Sequence, residues 1–434
     1  MGPKKSCMFP RRWTALACAF VPLLLLPATS RSADFSLSSR TYALYYEREV
    51  PGAETQKYAP VYEYLAGDAR GLGGRPFSFH FYGWGRQDLA DDSGTHSRSG
   101  DVGSAYLQYL HPRGNAEMRL GRFFLAEGTA AEILDGAFVK LRTGPGLGVS
   151  LFGGLPVERT ITGTQTGDSI YGGRVFFAAA RYLEIGATYL KEDGTFQGDD
   201  REVAGGDIWL RPGIPVELSG RATYNLATED LASQRYVLRL LPVAAIDLAV
   251  GYEAYTYKDL FQTALNPAFL APALDNADEV QTIFGVLGIG LGKGVTVEGG
   301  VKSIRHDRDD PGDALRGEGG LRFAFNDRKD VLGLSGAVVS ADREENEYQE
   351  YRAFASFSPG GFRFTVDGLT HRYKAAINGI KNGYQVVASA GWQAASWFKI
   401  SGDLTYTKSP RFDEDYAGLI RLALDLGTST GGTK

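Results

Sequence analysis

The chain reads as a single antiparallel transmembrane β-barrel of about 22 strands (20–24) with no plug domain, and three observations predict it. From residue 34 onward, segments of roughly ten residues alternate apolar and polar side chains, the period of a strand with one face in lipid and one in water. The connections between those segments alternate long and short, as in a barrel with extended loops at one rim and tight turns at the other. The composition agrees: 56 glycines, 24 phenylalanines and 23 tyrosines stand against only 3 methionines in 434 residues. After the first thirty residues no stretch reaches the ~18 apolar residues that a membrane-crossing helix needs.

The N-terminus has the three parts of a secretory leader. Lys4, Lys5, Arg11 and Arg12 are basic, 13–27 is apolar, and Ala28-Thr29-Ser30 offers a small-x-small cleavage site, with Ala33 a later alternative. A retained anchor is disfavoured because the apolar run is short and holds Pro22 and Pro27. The expected division is a signal peptide at 1–30, a barrel at 34–426 and a polar periplasmic tail at 427–434. Both cysteines, Cys7 and Cys18, fall in the leader, so the mature chain has no thiol chemistry. Cys18 precedes the richest apolar stretch, Leu23 to Leu26, which argues against a lipoprotein signal. Removing the leader's four positive charges takes the net charge from -5 to -9. That balance argues against a nucleic-acid partner.

The strands follow in order. The first two are expected at 35–47 and 58–67. The third, 75–86, sets Phe77, Phe79 and Phe81 on one face and Ser78, His80 and Tyr82 on the other. A polar loop at 87–100 leads to 101–111, which returns through Pro112-Arg113-Gly114-Asn115 to 116–125. The sixth, 133–142, turns at Thr143-Gly144-Pro145-Gly146 into 147–155. Further strands are read at 168–180, 182–191, 202–211, 215–226, 233–241 and 246–257. After the longest loop, 258–277 with Pro267 and Pro272, come 279–291, 294–305, 314–326, 331–341, 347–358, 361–373, 383–394, 397–408 and 415–426. Turn-forming residues mark the short connections, among them Pro212-Gly213, Gly292-Lys293-Gly294 and Pro359-Gly360. The loops at 305–314, 341–347, 372–382 and 408–414 read as longer and charged. If the N-terminus is periplasmic, every short turn falls on that side. A β-sandwich would use shorter strands, usually ~5–6 residues, and a β-helix would show a short repeat that is absent here.

Several strands assign their own faces. Val216, Leu218, Ala222 and Tyr224 oppose Glu217, Ser219, Arg221 and Thr223. Leu315, Leu321 and Phe323 oppose Arg316, Glu318 and Arg322; Phe362, Phe364 and Val366 oppose Arg363 and Asp367; Ile420, Leu422 and Leu424 oppose Arg421 and Asp425. A basic side chain in lipid at mid-bilayer costs about 2–4 kcal/mol, so the polar sets must face the lumen. The candidate lumen-lining residues are therefore Arg221, Arg316, Glu318, Arg322, Arg363, Asp367, Arg421 and Asp425. Charges of both signs there predict a hydrated wall with weak ion selectivity. Barrels this wide leave a water channel unless something fills it.

Other chemistry finds little support. The five histidines are scattered without metal-ligand spacing, and no C-x-x-C-H haem motif occurs. Asp307 to Asp313 is acidic but lacks the spacing of an EF-hand. No Ser/His/acid set can be chosen, so neither an enzyme nor a cofactor is expected, although an outer-membrane lipase or protease stays as a lesser alternative.

One stretch carries a resemblance. Arg119-Leu120-Gly121-Arg122-Phe123-Phe124, then Glu127-Gly128 and Ile133-Leu134-Asp135-Gly136, resembles bacterial outer-membrane porins, and more particularly the porin component of porin–cytochrome conduits. The match covers roughly forty residues; the rest matches in pattern and size. It implies a water-filled channel for small solutes or ions in the outer membrane of a Gram-negative bacterium. Alternatively it implies a sheath around a periplasmic or surface multihaem cytochrome. Its partners are then outer-membrane lipid and, in the second case, that cytochrome. Unlike ordinary porins the chain does not end on an aromatic residue but on Gly427 to Lys434.

Overall fold

The computed structural model describes residues 33–49, 56–90, 98–159, 164–194, 200–213, 215–256, 279–307, 312–410 and 412–428. The expected leader, the 258–277 loop and the last six residues lie outside them. The described chain forms twenty-two long strands. They are β1 Asp34–Glu49, β2 Pro60–Arg70, β3 Phe77–Asp88, β4 Arg98–Leu110, β5 Ala116–Glu127, β6 Ala130–Arg142, β7 Leu147–Arg159, β8 Ser169–Ala179, β9 Leu183–Asp193, β10 Arg201–Gly213 and β11 Val216–Asn225. They continue with β12 Asp230–Val243, β13 Ile246–Thr256, β14 Glu279–Gly292, β15 Val295–His306, β16 Ala314–Phe325, β17 Asp330–Ala341, β18 Tyr348–Phe357, β19 Phe362–Ile377, β20 Ile380–Ala395, β21 Phe398–Ser409 and β22 Phe412–Thr428. Two short segments, Gln56–Tyr58 and Thr164–Thr166, prolong β2 and β8 towards the loop rim.

Each strand pairs antiparallel with its neighbours in sequence, and β22 closes on β1 from Phe35↔Thr428 to Glu49↔Glu414. Closure leaves no unpaired edge, the condition a sheet must meet in hydrocarbon. Twenty-two strands at ~4.8 Å spacing and ~40° tilt make a wall about 140 Å around, or about 45 Å across between backbones. Among the described residues no plug domain occupies it.

The register carries one face coherently around the sheet. Leu218 sits beside Leu210 and Leu238, Leu321 beside Val297 and Leu334, and Ile420 beside Ala43 and Gly402. Leu151, Val175, Leu334 and Leu404 are strongly exposed on this apolar face, which meets the hydrocarbon. Away from the loop rim a carboxylate also sits on this face. Glu63 lies on the outward face of β2, where Ser39 and Thr41 donate hydroxyl hydrogen bonds of 2.6 and 2.5 Å to its two oxygens.

The rims differ from the expectation at three places. At the rim that carries both chain ends, the connections are two to six residues, as expected. At the opposite rim three connections are of two residues only. Only Gly128 and Thr129 separate β5 from β6, where a seven-residue loop was expected. The loops expected at 372–382 and 408–414 are instead continuations of strands, joined by Asn378-Gly379 and by residues 410–411. Asn378 and Gly379 both have positive φ, 49° and 80°. That is the two-residue hairpin turn whose twist matches its strands. Gly427 and Thr428, expected in the tail, extend the last strand.

Candidate functional site

The site is the lumen, and its shape is set by β5 and β6. The β4–β5 ladder stops at Ala105↔Arg122, but the β5–β6 ladder runs on without interruption to Glu127↔Ala130. Above Arg122 the two strands therefore leave the wall as a two-stranded ribbon. Its destination follows from Glu127. Lys140 is in register with Glu117, ten residues down the same strand, and yet donates to Glu127 at 2.8 Å. A straight strand would separate those levels by about 33 Å. The ribbon has folded over into the barrel.

Three glycines in one row permit the bend. Gly121 pairs with Gly136, and Gly136 with Gly154. Gly121 has φ +123°, and a Cβ there would lie 2.3 Å from the Ala105 carbonyl oxygen; one on Gly136 would lie 2.1 Å from that of Gly153. Only residues without side chains let the backbones approach so closely. From Gly121 to Gly128 the ribbon reaches ~23 Å, enough to cross the ~19 Å from β6 to β10.

What holds it down is a small core between ribbon and wall. Phe123, Leu125 and Leu134 are fully buried against Phe138, Phe152, Ile170 and Leu190. Burying the three ribbon side chains contributes roughly 1.5–3 kcal/mol each. Polar latches flank the core. Glu127 accepts from Lys140 and, at 3.1 Å, from Ser150. Arg174, 3% exposed, lies 3.9 Å from Glu127 and pairs with Glu184 at 2.8 Å and with Asp207. Further out, the Thr129 amide donates to Thr188, and Arg201 pairs with Glu132.

Folding over reverses which side of the ribbon is wet. Arg122 and Asp135 have the parity that faces lipid lower on the same strands, but above the bend that side faces the lumen. They form a two-pronged ion pair, both contacts 2.7 Å, and Arg122 also donates to the Val102 carbonyl at 3.0 Å. Beside them Phe124 is 55% exposed.

The eight residues expected to line the lumen all lie on the inner side of the register, spread over β11, β16, β19 and β22. The structure does not gather them into one cluster. Arg316 pairs with Glu318 at 2.8 Å and Glu350 at 2.9 Å. Asp367 pairs with Arg352, Arg421 with Asp403, and Asp425 with Arg40 at 2.6 Å. Arg221, Arg322 and Arg363 are exposed. Sequence reading missed Arg174, Glu127 and Asp207. No group of three or more His, Cys, Asp or Glu side chains placed to hold a metal occurs among the described residues.

No family model and no curated protein matches the chain. Among solved structures it is similar to OccK3 (OpdO) of Pseudomonas aeruginosa, at 8% identity over 92% of this chain and 96% of that one, TM-score 0.46. It is similar also to OccAB4 of Acinetobacter baumannii, at 9% identity over 92% and 100%, TM-score 0.43. A third is the P pilus usher PapC translocation pore, at 11% identity over 92% and 100%, TM-score 0.43. None of these scores reaches 0.5, and the barrel assignment rests on the closed strand ladder itself.

Proposed function

We propose that the protein is a passive, water-filled pore of a Gram-negative outer membrane, with its turn rim and both chain ends in the periplasm. Small solutes and ions cross it down their gradients, past the folded-in ribbon. The observation that carries this reading is the inner wall. A closed barrel with no plug among its described residues presents paired charges such as Arg316–Glu350, Arg352–Asp367 and Arg40–Asp425 to the lumen. Such a wall is stable only if hydrated. The residues Arg221, Arg316, Glu318, Arg322, Arg363, Asp367, Arg421 and Asp425 then set the field along the path. Balanced signs give weak selectivity. The competing reading is a sheath around a multihaem cytochrome. The ribbon takes up lumen that such an occupant would fill, which favours the open pore.

The test is single-channel conductance of purified, refolded protein in a planar bilayer. A steady, weakly selective current supports the pore. A closed barrel, or one that conducts only after a haem-staining partner is stripped from it, refutes it.

A further inference from the structure

The inner face of β1, β2 and β3 differs from the rest of the wall. Its alternate positions are aromatic: Tyr42, then Tyr62 and Tyr64, then Tyr82 and Trp84, all half-buried. The rings touch in series. Tyr64 stands edge-on to Tyr42 at 5.5 Å and lies near-parallel to Tyr62 and Tyr82, both at 6.3 Å. Towards the loop rim Tyr46 stacks on Tyr58 at 4.7 Å. Towards the ribbon His80 stacks on Tyr106 at 4.8 Å, and Tyr106 meets Phe123 at 5.9 Å. Three groups of rings thus lie along this wall between the rim and the root of the ribbon, the four-tyrosine group in the middle. Beside it lies a recess of about 580 Å³, bordered by Tyr42, Tyr62, Tyr64, Tyr82 and Arg40. That size is typical of small-molecule sites.

Ring faces turned to water gain when another ring desolvates them. The charges beside the track say which ring. Arg40 is paired with Asp425, Arg86 with Asp88 at 3.1 Å while standing 5.8 Å from the Tyr62 ring, and Arg421 with Asp403. Each of these three guanidiniums is held by a carboxylate. Among the described residues, Arg40 is the one charged side chain bordering the recess, so the recess itself offers hydrogen-bond donors and acceptors with balanced charge. Arg70 is exposed at the turn end of β2, beyond it. An aromatic carboxylate would need a cation not already held by a carboxylate. A neutral ring with C–H faces and hydroxyl edges finds what it needs: aromatic faces to lie on and ion-paired forks to meet its hydroxyls. We propose that the Tyr42–Tyr62–Tyr64–Tyr82 track binds neutral sugar rings and guides linear oligosaccharides along the lumen.

This inference rests on the open-pore reading, and its test separates the two. Ion current through the reconstituted protein is recorded while maltohexaose is added. Saturable, concentration-dependent block is expected. Tyr64→Ala should weaken it about three- to tenfold, Tyr64→Phe should retain most of it, and Arg235→Ala, on the inner face of β12 across the lumen, should leave it unchanged. Tyr62→Ala replaces Tyr64→Ala if that variant does not refold. Current without saturable sugar block, or block by benzoate but not by maltohexaose, overturns the track and leaves the pore standing. If no current flows, the pore reading fails. Calorimetric titration of the detergent-solubilised protein with maltohexaose then decides the track by itself, the absence of binding heat overturning it.

Discussion

The arcs β5–β10 and β16–β19 use the same chemistry on their inner faces and put it to different ends. Each has arginines facing acids two strands away: Arg174 on β8 reaches Asp207 on β10, and Arg316 on β16 reaches Glu350 on β18. In the first arc the ribbon lies on top, so Arg174 is 3% exposed and its neighbours include a sealed hydrocarbon cluster. In the second no described residue covers the wall at Arg352, which remains 49% exposed while paired with Asp367. Burial, not residue type, decides what an ion pair does. Under the ribbon it is a structural latch whose loss strands charges in a poor dielectric. On the bare wall it is a hydrated part of the path.

Taking the ribbon away should change the molecule most. Arg122 and Asp135 are in register, so replacing residues 123–134 with Asn-Gly closes them by a two-residue hairpin turn. A second sheet layer occupies about 10 Å of depth over a quarter of the wall. Removing it should raise single-channel conductance by about 1.3-fold, on the scale of a lumen roughly 30 Å wide inside its side chains. The barrel itself should still show heat-modifiable electrophoretic mobility. An unchanged conductance would show that the ribbon does not narrow the path.

Next in size is Arg174→Ala. It removes the buried cation between Glu127 and the half-buried Asp207 while Lys140 still holds Glu127, so the cost falls towards the lower end of the about 3–5 kcal/mol for breaking a buried ion network. Ribbon docking draws on a comparable amount, so the ribbon should leave the wall part of the time. Open-channel noise should grow and mean conductance shift towards that of the ribbon-deleted form. A quiet channel of native conductance would mean that the apolar core alone holds the ribbon.

Gly121→Val should act in the same direction more weakly. A β-branched residue at φ +123°, with the Ala105 oxygen in its path, stores on the order of 1–3 kcal/mol of strain. A current-noise spectrum should place it between the native protein and Arg174→Ala. If it proves noisier than Arg174→Ala, the hinge rather than the latch governs the ribbon.

The sequence shows the bare arc far better than the covered one. Around β16–β22 each strand has one wet and one apolar face, so a period of two yields strand, face and neighbours together. The exceptions there are the β19–β20 and β21–β22 turns, although Asn378-Gly379 is a strong local hairpin signal. The ribbon has no single-strand signature, because the glycines that form its hinge line up only once the register of β5, β6 and β7 is known. Two clues were nevertheless present. Phe123-Phe124-Leu125 is apolar on both parities, which a wall strand with a wet face cannot be. Arg122 and Asp135 fall on the parity of Leu120 and Ala137, where a charge in mid-bilayer costs about 2–4 kcal/mol. That cost already required the segment to leave the lipid. The resemblance to porins covers these same residues, but a motif says nothing of direction.

The smallest effect should come from the bare wall, and it sharpens the contrast most cleanly. Arg352→Ala removes an exposed partner of Asp367, an interaction worth roughly 0.2–1 kcal/mol in water. Thermal unfolding should be unchanged within error, in contrast to Arg174→Ala. What should move is the reversal potential in a salt gradient. One lumen cation fewer leaves Asp367 unbalanced and shifts selectivity towards cations, and the shift should fade as ionic strength rises and the Debye length falls below ~10 Å. The double variant Arg352→Ala/Asp367→Ala restores neutrality and should return the potential to its native value. If Arg352→Ala instead unfolds the barrel as readily as Arg174→Ala loosens the ribbon, then the inner charges of both arcs are structural. The distinction between a covered and a wetted wall would then fail.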